Sequence, residues 1–240
     1  MESGYVFKHP GWCPICESDV TFVALHEWFR DHLTCPKCHS IPRERALIYC
    51  LAEFYPKWRE ADIHEMAPIG RGASLKLAEA PNYQSSQYDP TLRPGEVNAL
   101  GQINQDAERQ SFEDEHFDLV VTQDVFEHIF DIDAAFREIS RTLRPGGAHV
   151  FTTPLVNKTR PTEARAIREA DGSVRHLFEP EYHSNPVDDG GSLVTWHFGF
   201  DLAARIIDHT RMPTMIMSID RLDLGIRAEY IEVLVSLKPS

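Results

Sequence analysis

Short apolar segments alternate with helical patterns along the chain from residue 61 onward. Strands that alternate with helices form a parallel sheet with helices on both faces, and a closing pair of strands joined by a loop makes one strand antiparallel. The pattern therefore predicts a doubly wound, mostly parallel α/β sheet of seven strands with an antiparallel last strand. The predicted strands are 63–66, 83–88, 101–104, 117–122, 149–153, 212–219 and 230–237.

Four of the five cysteines form two close pairs before this pattern begins. Cys13 and Cys16 enclose two residues, Cys35 and Cys38 enclose two more, and 18 residues separate the pairs. This spacing is typical of zinc ribbons, in which each pair directs two thiolates at one ion. The sequence predicts a structural Zn²⁺, because four cysteines leave no open coordination position. Cys50 is expected to be an inert, buried thiol on a helix.

The chain is therefore predicted to have three parts. Residues 1–42 form a zinc-ribbon module, and residues 43–60 form a connecting helix that follows Pro42. Residues 61–240 form the α/β domain, interrupted by a mostly irregular insertion at 154–199. Loops longer than about 12–15 residues usually have a function, so we expect this insertion to cover a site.

The net charge bears on possible partners. The chain has 24 Lys and Arg against 37 Asp and Glu, a formal charge of −13. Excess negative charge disfavours binding to nucleic acid and to anionic membrane surfaces. No apolar run reaches the roughly 18 residues of a membrane-spanning helix, and the N-terminus has no signal-peptide pattern. The sequence predicts a cytoplasmic protein.

One continuous segment carries a resemblance to a known family. Residues 106–154 read DAERQSFEDEHFDLVVTQDVFEHIFDIDAAFREISRTLRPGGAHVFTTP. The acid-led strand, the DVFEH turn and the LRPGG turn resemble the central region of class I S-adenosylmethionine-dependent methyltransferases. The resemblance implies a Rossmann-like fold, S-adenosylmethionine as cofactor and methyl transfer as activity.

The resemblance also implies cofactor-binding residues at the carboxyl ends of the strands. Asp89 would bind the ribose hydroxyls, Asp106 the adenine amine, and Gln123 with Asp124 would line the methyl-donor pocket. The full set carried over is Glu65, Ala67, Gly70, Gly72, Asp89, Asp106, Ala107, Gln123 and Asp124.

The first turn departs from the family pattern of an acid followed by Gly-x-Gly-x-Gly. Ala67 replaces the first glycine, and an extra residue shifts the others. Either Gly70 and Gly72 still let the backbone approach the cofactor closely, or the turn has a variant geometry. The segment from His64 to Pro68 resembles a variant first motif of zinc-ribbon-bearing members of the superfamily.

Three residues are candidates for catalysis. Tyr182 and His183, in the insertion, can contact or deprotonate an acceptor, since a histidine near neutrality suits general-base catalysis. Anchoring of the loop is an equally good interpretation of His183. His128 follows the fourth strand, where it either packs at a helix start or faces the substrate.

The leading hypothesis is methyl transfer to an O or N atom of a small-molecule or saccharide acceptor. One alternative is an rRNA base methyltransferase, for which the densest basic cluster is Arg43, Arg45, Lys57 and Arg59. Another is a non-catalytic zinc protein that acts as an interaction module. The oligomeric state is left open.

Overall fold

The N-terminal residues form a small antiparallel sheet that carries the four cysteines. The computed structural model describes residues 4–183 and 190–240, so residues 184–189 of the predicted insertion lie outside the described residues. Two cysteines flank the turn after the first strand, and the other two follow the third strand. The elements are β1 (Phe7–Cys13), β2 (Ser18–Ala24), the one-turn helix α1 (Phe29–His32) and β3 (Leu33–Thr34).

The predicted connecting helix is α2 (Pro42–Phe54). Its first turn is closed by Glu44, whose carboxylate accepts a hydrogen bond from the backbone N of Ile41 at 3.1 Å. One face of α2 packs on the central sheet and on the next helix, and Cys50 is fully buried there as predicted. The helix therefore serves as one of the covering helices of the sheet. The proposed boundaries at 42/43 and 60/61 stay a prediction.

The first half of the α/β unit follows the predicted alternation closely. A 3-10 turn at Trp58–Glu60 leads into it. The elements are β4 (Ile63–Met66), α3 (Gly72–Leu77), β5 (Tyr83–Gln87), β6 (Ile103–Asn104), β7 (Phe117–Gln123), a 3-10 turn (Phe126–His128), α4 (Ile132–Thr142) and β8 (Leu143–Thr152).

One strand is longer than predicted. β8 begins at Leu143 rather than at residue 149, because Leu143 pairs with Phe117 and Ala148 pairs with Leu119. Between these two pairs, four residues of β8 lie opposite the single residue Asp118 of β7, so the Pro-Gly-Gly segment bulges out of the ladder instead of ending it.

The insertion after β8 contains three short antiparallel strand pairs rather than one irregular loop. The two strands of each pair are connected either by a short turn or by a longer stretch of chain. The strands are β9 (Glu163–Ala164), β10 (Ala166–Arg168), β11 (Val174–His176), β12 (Tyr182–His183), β13 (Ser192–Leu193) and β14 (Trp196–His197), paired as β9 with β14, β10 with β11 and β12 with β13.

The chain ends with α5 (Leu202–Thr210), β15 (Thr214–Met217), a 3-10 turn (Leu222–Leu224) and β16 (Val233–Leu237). The strand order of the central sheet is β15-β16-β8-β7-β4-β5-β6. The strands β4 to β8 run parallel, and β16 is antiparallel to both of its neighbours. This is the predicted seven-stranded, Rossmann-like sheet with an antiparallel last strand.

Helices cover both faces of the sheet. Alternate residues of β7 face opposite layers: Leu119 and Val121 pack with α2 and α3, and Val120 packs with α4 and α5. Because parallel strands are buried on both faces, the centre of β7, Leu119–Val121, is apolar at successive positions. In the described part of the chain, no helix is long and apolar enough to cross a membrane.

A buried arginine links the N-terminal module to the C-terminal part of the chain. Arg45 of α2 is fully buried, and its guanidinium donates to the carbonyls of Leu33 at 2.7 Å and Gly225 at 2.7 Å, and to that of Ser40. A buried cation is tolerated only when its hydrogen bonds are satisfied. Three distant segments of the chain are thereby held together around one side chain.

Candidate functional site

A large cleft opens at the carboxyl ends of the parallel strands, with a volume of about 1050 Å³. Its walls come from the strand ends, the insertion and the N-terminal module. Crevices at this edge of an open α/β sheet are the usual ligand sites of the fold. Of the predicted site residues, those that line it are Ala67, Asp106, Ala107, Gln123, Asp124, His128, Tyr182 and His183.

Glu65, at the end of β4, is held by the protein itself. Its carboxylate is fully buried and accepts hydrogen bonds from Ser74 at 2.6 Å, Tyr83 at 2.7 Å and Gln123 at 2.9 Å. Burial raises the pKa of Glu65, and these three hydrogen bonds oppose the rise. The side chain ties α3, β5 and β7 to the first turn, and Ala67 follows it at φ +50° on the cleft wall.

The two glycines of the first turn have different surroundings. A Cβ on Gly70 would meet nothing within 4 Å. Gly72 has φ +53°, and a Cβ there would lie 2.1 Å from a carboxylate oxygen of Glu44. The close approach at Gly72 is therefore to α2 of the same chain, while the backbone at Gly70 is open. A glycine pattern by itself does not distinguish these two reasons for lacking a side chain.

Asp89 follows β5, between two cleft residues, Tyr88 and Pro90. One oxygen of its carboxylate accepts hydrogen bonds from the Thr91 hydroxyl at 2.6 Å and the Thr91 backbone N at 2.8 Å. These bonds lower the pKa of Asp89. The backbone N of Asp89 donates to the Asn104 side chain at 2.8 Å, which joins the ends of β5 and β6.

Asp106 and Ala107 follow β6 and form the adjoining wall. The Asp106 carboxylate accepts a hydrogen bond from the backbone N of Glu108 at 2.9 Å. Glu108 in turn accepts from the backbone N of Phe130 at 3.1 Å and pairs with Arg168 of the insertion at 3.1 Å. The turn that carries Asp106 is thus fixed to both the segment after β7 and the insertion.

Asp124, after β7, lies in a buried ion-pair network. Its carboxylate contacts Arg30 of α1 at 2.6 Å and Arg43 of α2 at 2.9 Å, and accepts a hydrogen bond from Thr152 at 3.0 Å. Burial acts to raise the pKa of Asp124, but the charges of Arg43 and Arg30 outweigh it and hold that pKa below its usual range. The side chain was predicted to contact a cofactor; in the structure its carboxylate contacts the N-terminal module, α2 and β8.

The N-terminal module, together with α2 and Tyr230, supplies one wall of the cleft that the sequence did not predict. The Trp28 and Tyr230 rings lie 6.2 Å apart, and the Nε of Arg30 donates to the carbonyl of Tyr230 at 3.1 Å. Arg30 and Asp124 are 94 positions apart, and no local motif links them. The residues of this wall are Trp28, Arg30, Asp31, Arg43 and Tyr230.

The three candidate catalytic residues come together at the far side of the cleft. His128 and His183 are in edge-to-face contact, with ring centroids 5.5 Å apart. The Nδ1 of His128 lies 2.9 Å from the carbonyl oxygen of Leu193, and the Nε2 of His183 lies 3.3 Å from Glu181. Burial lowers the pKa of His128. Tyr182 lines the same region but is 56% exposed.

Glu127 lies beside this pair and was treated in the sequence only as part of the EH turn. It is 2% exposed, and one carboxylate oxygen accepts a hydrogen bond from Thr153 at 2.9 Å. Burial, helped by the charge of Asp124, raises the pKa of Glu127 to about 8. The other oxygen has no hydrogen-bond partner among the residues that the structure describes.

Comparison with known proteins matches a segment that supplies about half of the residues lining this cleft. A family model described as a methyltransferase domain matches residues 70–151, about a third of the chain. The chain is also similar to sarcosine/dimethylglycine N-methyltransferase of Halorhodospira halochloris, at 35% identity over 83 residues. The aligned residues are 35% of this chain and 29% of that relative, so the chain spans less than a third of the relative's length.

Two solved structures are similar to the chain at low sequence identity. An S-adenosylmethionine-dependent methyltransferase from Mesorhizobium loti is 14% identical, with a TM-score of 0.49 over 80% of this chain and 98% of that one. The 1,6-didemethyltoxoflavin-N1-methyltransferase of Burkholderia thailandensis is 16% identical, with a TM-score of 0.48 over 82% and 79% of the two chains. Both TM-scores lie below 0.5, so the fold is assigned from the strand order and the helix layers.

The two glycines of the first turn provide a matched pair of substitutions. Gly72→Ala is expected to lower the free energy of unfolding by roughly 2 kcal/mol, because the new methyl group meets Glu44 at a strained positive φ. Gly70→Ala should change it by less than about 0.5 kcal/mol. Urea denaturation followed by circular dichroism, without added ligand, measures both values. Equal losses in the two variants would contradict this account of the turn.

The ion-pair network at Asp124 predicts a pH-dependent contribution to stability. A depressed pKa means that Asp124 stabilises the fold above its unfolded pKa of about 3.9, and that this contribution is lost as the pH falls through the folded pKa. At pH 7, Asp124→Asn should lower the free energy of unfolding by roughly 2 to 4 kcal/mol, because two largely buried arginines lose their closer counter-charge and keep only the half-exposed Asp31.

Urea denaturation at pH 7, pH 5 and pH 3 tests this sign. The gap between the natural protein and Asp124→Asn should be similar at the first two values and narrower at the third. Asp220→Asn is the control, since Asp220 pairs with Arg227 on the exposed surface. A gap that widens in acid would be inconsistent with a depressed pKa.

Proposed function

We propose that the protein is an S-adenosylmethionine-dependent methyltransferase that acts on a small-molecule acceptor. The observation that carries the proposal is the position of the cleft, at the carboxyl ends of β4 to β7, with about half of its lining residues in the segment that matches the methyltransferase-domain model. Buried Glu65, the open backbone at Gly70 and the acids after β5 and β6 are the groups that the fold uses for such a cofactor.

The residues present fit this cofactor. Gln123 lines the cleft, its Nε2 donates to Glu65, and its buried Oε1 is unpartnered within the described ranges. That oxygen is an acceptor suited to the ammonium group of the methionyl part. Asp106 offers a carboxylate to the adenine amine, and Asp89 one to the ribose hydroxyls. When bound, S-adenosylmethionine supplies an electrophilic methyl group.

The protein's contribution is to position the acceptor and exclude water. Methyl transfer is an in-line displacement, so holding the acceptor atom in line with the methyl group provides most of the acceleration. The insertion forms a cover from which Tyr182 and His183 reach the cleft. We propose His183 as the group that accepts a proton from an oxygen acceptor, with Tyr182 and His128 as acceptor contacts.

The small size of the acceptor is supported by two observations. The curated relative is named for N-methylation of sarcosine and dimethylglycine, which are small amines. The basic cluster that would favour RNA is partly used inside the fold, since Arg43 pairs with Asp124 and Arg45 is fully buried. The proposal includes both O and N as the methylated atom, and it includes a saccharide as the acceptor.

We further propose that the four cysteines bind one structural Zn²⁺. The Sγ atoms of Cys13 and Cys38 lie 3.7 Å apart, as do those of Cys16 and Cys35. Thiolates at about 2.3 Å from a tetrahedral zinc are about 3.8 Å apart. Such a site suits a reducing compartment, which supports a cytoplasmic location.

Cofactor binding and turnover test the proposed activity. Isothermal titration with S-adenosylhomocysteine should give one site, and Asp106→Ala should weaken it by roughly 10- to 100-fold, because a charged hydrogen-bond acceptor is lost. Asp114→Ala is the control, since Asp114 pairs with Arg141 on the surface. No binding at millimolar ligand would favour the non-catalytic alternative.

Acceptors are identified by mass spectrometry of reactions with pools of small amines, hydroxy acids and sugars. His183→Ala should lower kcat for an oxygen acceptor far more than for an amine, because an amine needs no general base. An equal loss for both acceptor classes would count against His183 as the base.

Metal content tests the cysteine site separately. Native mass spectrometry should find one tightly held zinc, and Cys35→Ser should lose it and unfold at lower urea, since zinc binding contributes to folding. Cys50→Ser, which leaves the four predicted ligands intact, should retain the zinc. A zinc-free natural protein with unchanged stability would refute the site.

A further inference from the structure

We propose that Glu127, His128 and His183 form a second metal site, for one divalent transition-metal ion, on the wall of the cleft. One ligand atom from each residue lies within 4.8 Å of the others. The 3-10 turn after β7 supplies two of the residues and β12 of the insertion supplies the third. This site is distinct from the four-cysteine cluster and does not depend on the proposed methyl transfer.

Each histidine has one ring nitrogen already engaged. The Nδ1 of His128 faces the carbonyl oxygen of Leu193 at 2.9 Å, which can only accept, so Nδ1 carries the proton and Nε2 keeps its lone pair. The Nε2 of His183 faces the carboxylate of Glu181 at 3.3 Å, which leaves Nδ1 as the second ligand. Metal-binding histidines characteristically donate their other nitrogen to a carbonyl or a carboxylate in this way.

The Glu127 carboxylate likewise has one oxygen engaged and one oxygen available to bind an ion. One oxygen of Glu127 accepts a hydrogen bond from Thr153 at 2.9 Å, and the other, Oε1, is buried without a partner among residues 4–183 and 190–240. A buried polar atom that lacks a hydrogen bond is costly. A cation between Glu127 and the two histidines would satisfy it.

The neighbouring charges leave this carboxylate available. Asp124 interacts electrostatically with Glu127, but its own carboxylate is paired with Arg30 and Arg43. Glu181, which supports His183, also contacts His197 at 3.0 Å. The ion is therefore directed to Glu127 rather than to the acids on either side.

The geometry requires only a small adjustment. Ligand atoms that share an ion at about 2.1 Å lie no more than about 4.2 Å apart. His183 is 41% exposed in its side chain and has room to move toward the buried pair. Two imidazoles and one carboxylate suit Zn²⁺, Co²⁺, Fe²⁺ or Mn²⁺ and leave coordination positions open.

The open positions have a chemical use, in a step that rests on the proposed function. All three residues line the cleft, so the ion would face the acceptor. A cation that binds an acceptor hydroxyl lowers its pKa and orients its oxygen. Such an ion would select acceptors with an oxygen donor. With the ion bound, both ring nitrogens of His183 are engaged, so the ion rather than His183 would activate the acceptor oxygen.

Titration with Co²⁺ tests the metal site on protein that retains its zinc. One equivalent of Co²⁺ should bind with d–d absorption bands and without the intense thiolate charge-transfer absorption of a cysteine site. Loss of a residue that only supports a metal ligand weakens metal affinity by roughly 10- to 100-fold. His128→Ala and His183→Ala each remove a ligand, so each should weaken Co²⁺ affinity by more than this. His209→Ala is the control, because His209 is on α5, outside the cleft.

The outcomes separate the alternatives. Circular dichroism confirms folding of each variant, and His183→Ala, at a half-exposed position, provides the test if the buried variant fails to fold. Absence of stoichiometric Co²⁺ binding, or unchanged affinity in His183→Ala, overturns the site. S-adenosylhomocysteine binding is measured separately. A failure of the metal site can therefore be told apart from a failure of the proposed methyltransferase activity.

Discussion

The cleft depends on the ion pairs that the Asp124 carboxylate forms with Arg30 and Arg43. A buried carboxylate is stable only with a compensating charge, and here two elements of the N-terminal region provide it. The same contacts place Trp28 and Arg30 on the cleft wall, opposite the insertion. The cysteine module is therefore part of the site's architecture, and its fold determines where that wall lies.

The turn after β4 shows how closely the region before the α/β unit is integrated with the sheet. Glu44 of α2 occupies the space left by Gly72, and Glu65 is saturated by side chains from α3, β5 and β7. Both carboxylates are buried; Glu44 accepts a hydrogen bond from the backbone N of Ile41, and Glu65 accepts from side chains only. The backbone at Gly70, by contrast, is exposed, and a Cβ there would meet nothing within 4 Å.

Much of the site was predictable because it lies at strand ends. Parallel strands bring their carboxyl ends to one edge of the sheet, so Asp106 and Gln123 share a cleft although they are in different turns. Sequence reasoning missed Arg30 and Glu127 for different reasons. Arg30 acts across 94 positions, and Glu127 is notable only because burial leaves one of its oxygens unpaired.

The sequence alone determined the seven strands, the antiparallel last strand and the paired cysteines, because these follow from local periodicity and spacing. Tertiary structure alone decided that Arg43 and Arg45 are drawn inward and that His128 meets His183. Such contacts join residues far apart in the chain. Their energies depend on burial and on charge compensation, which no local pattern of residues records.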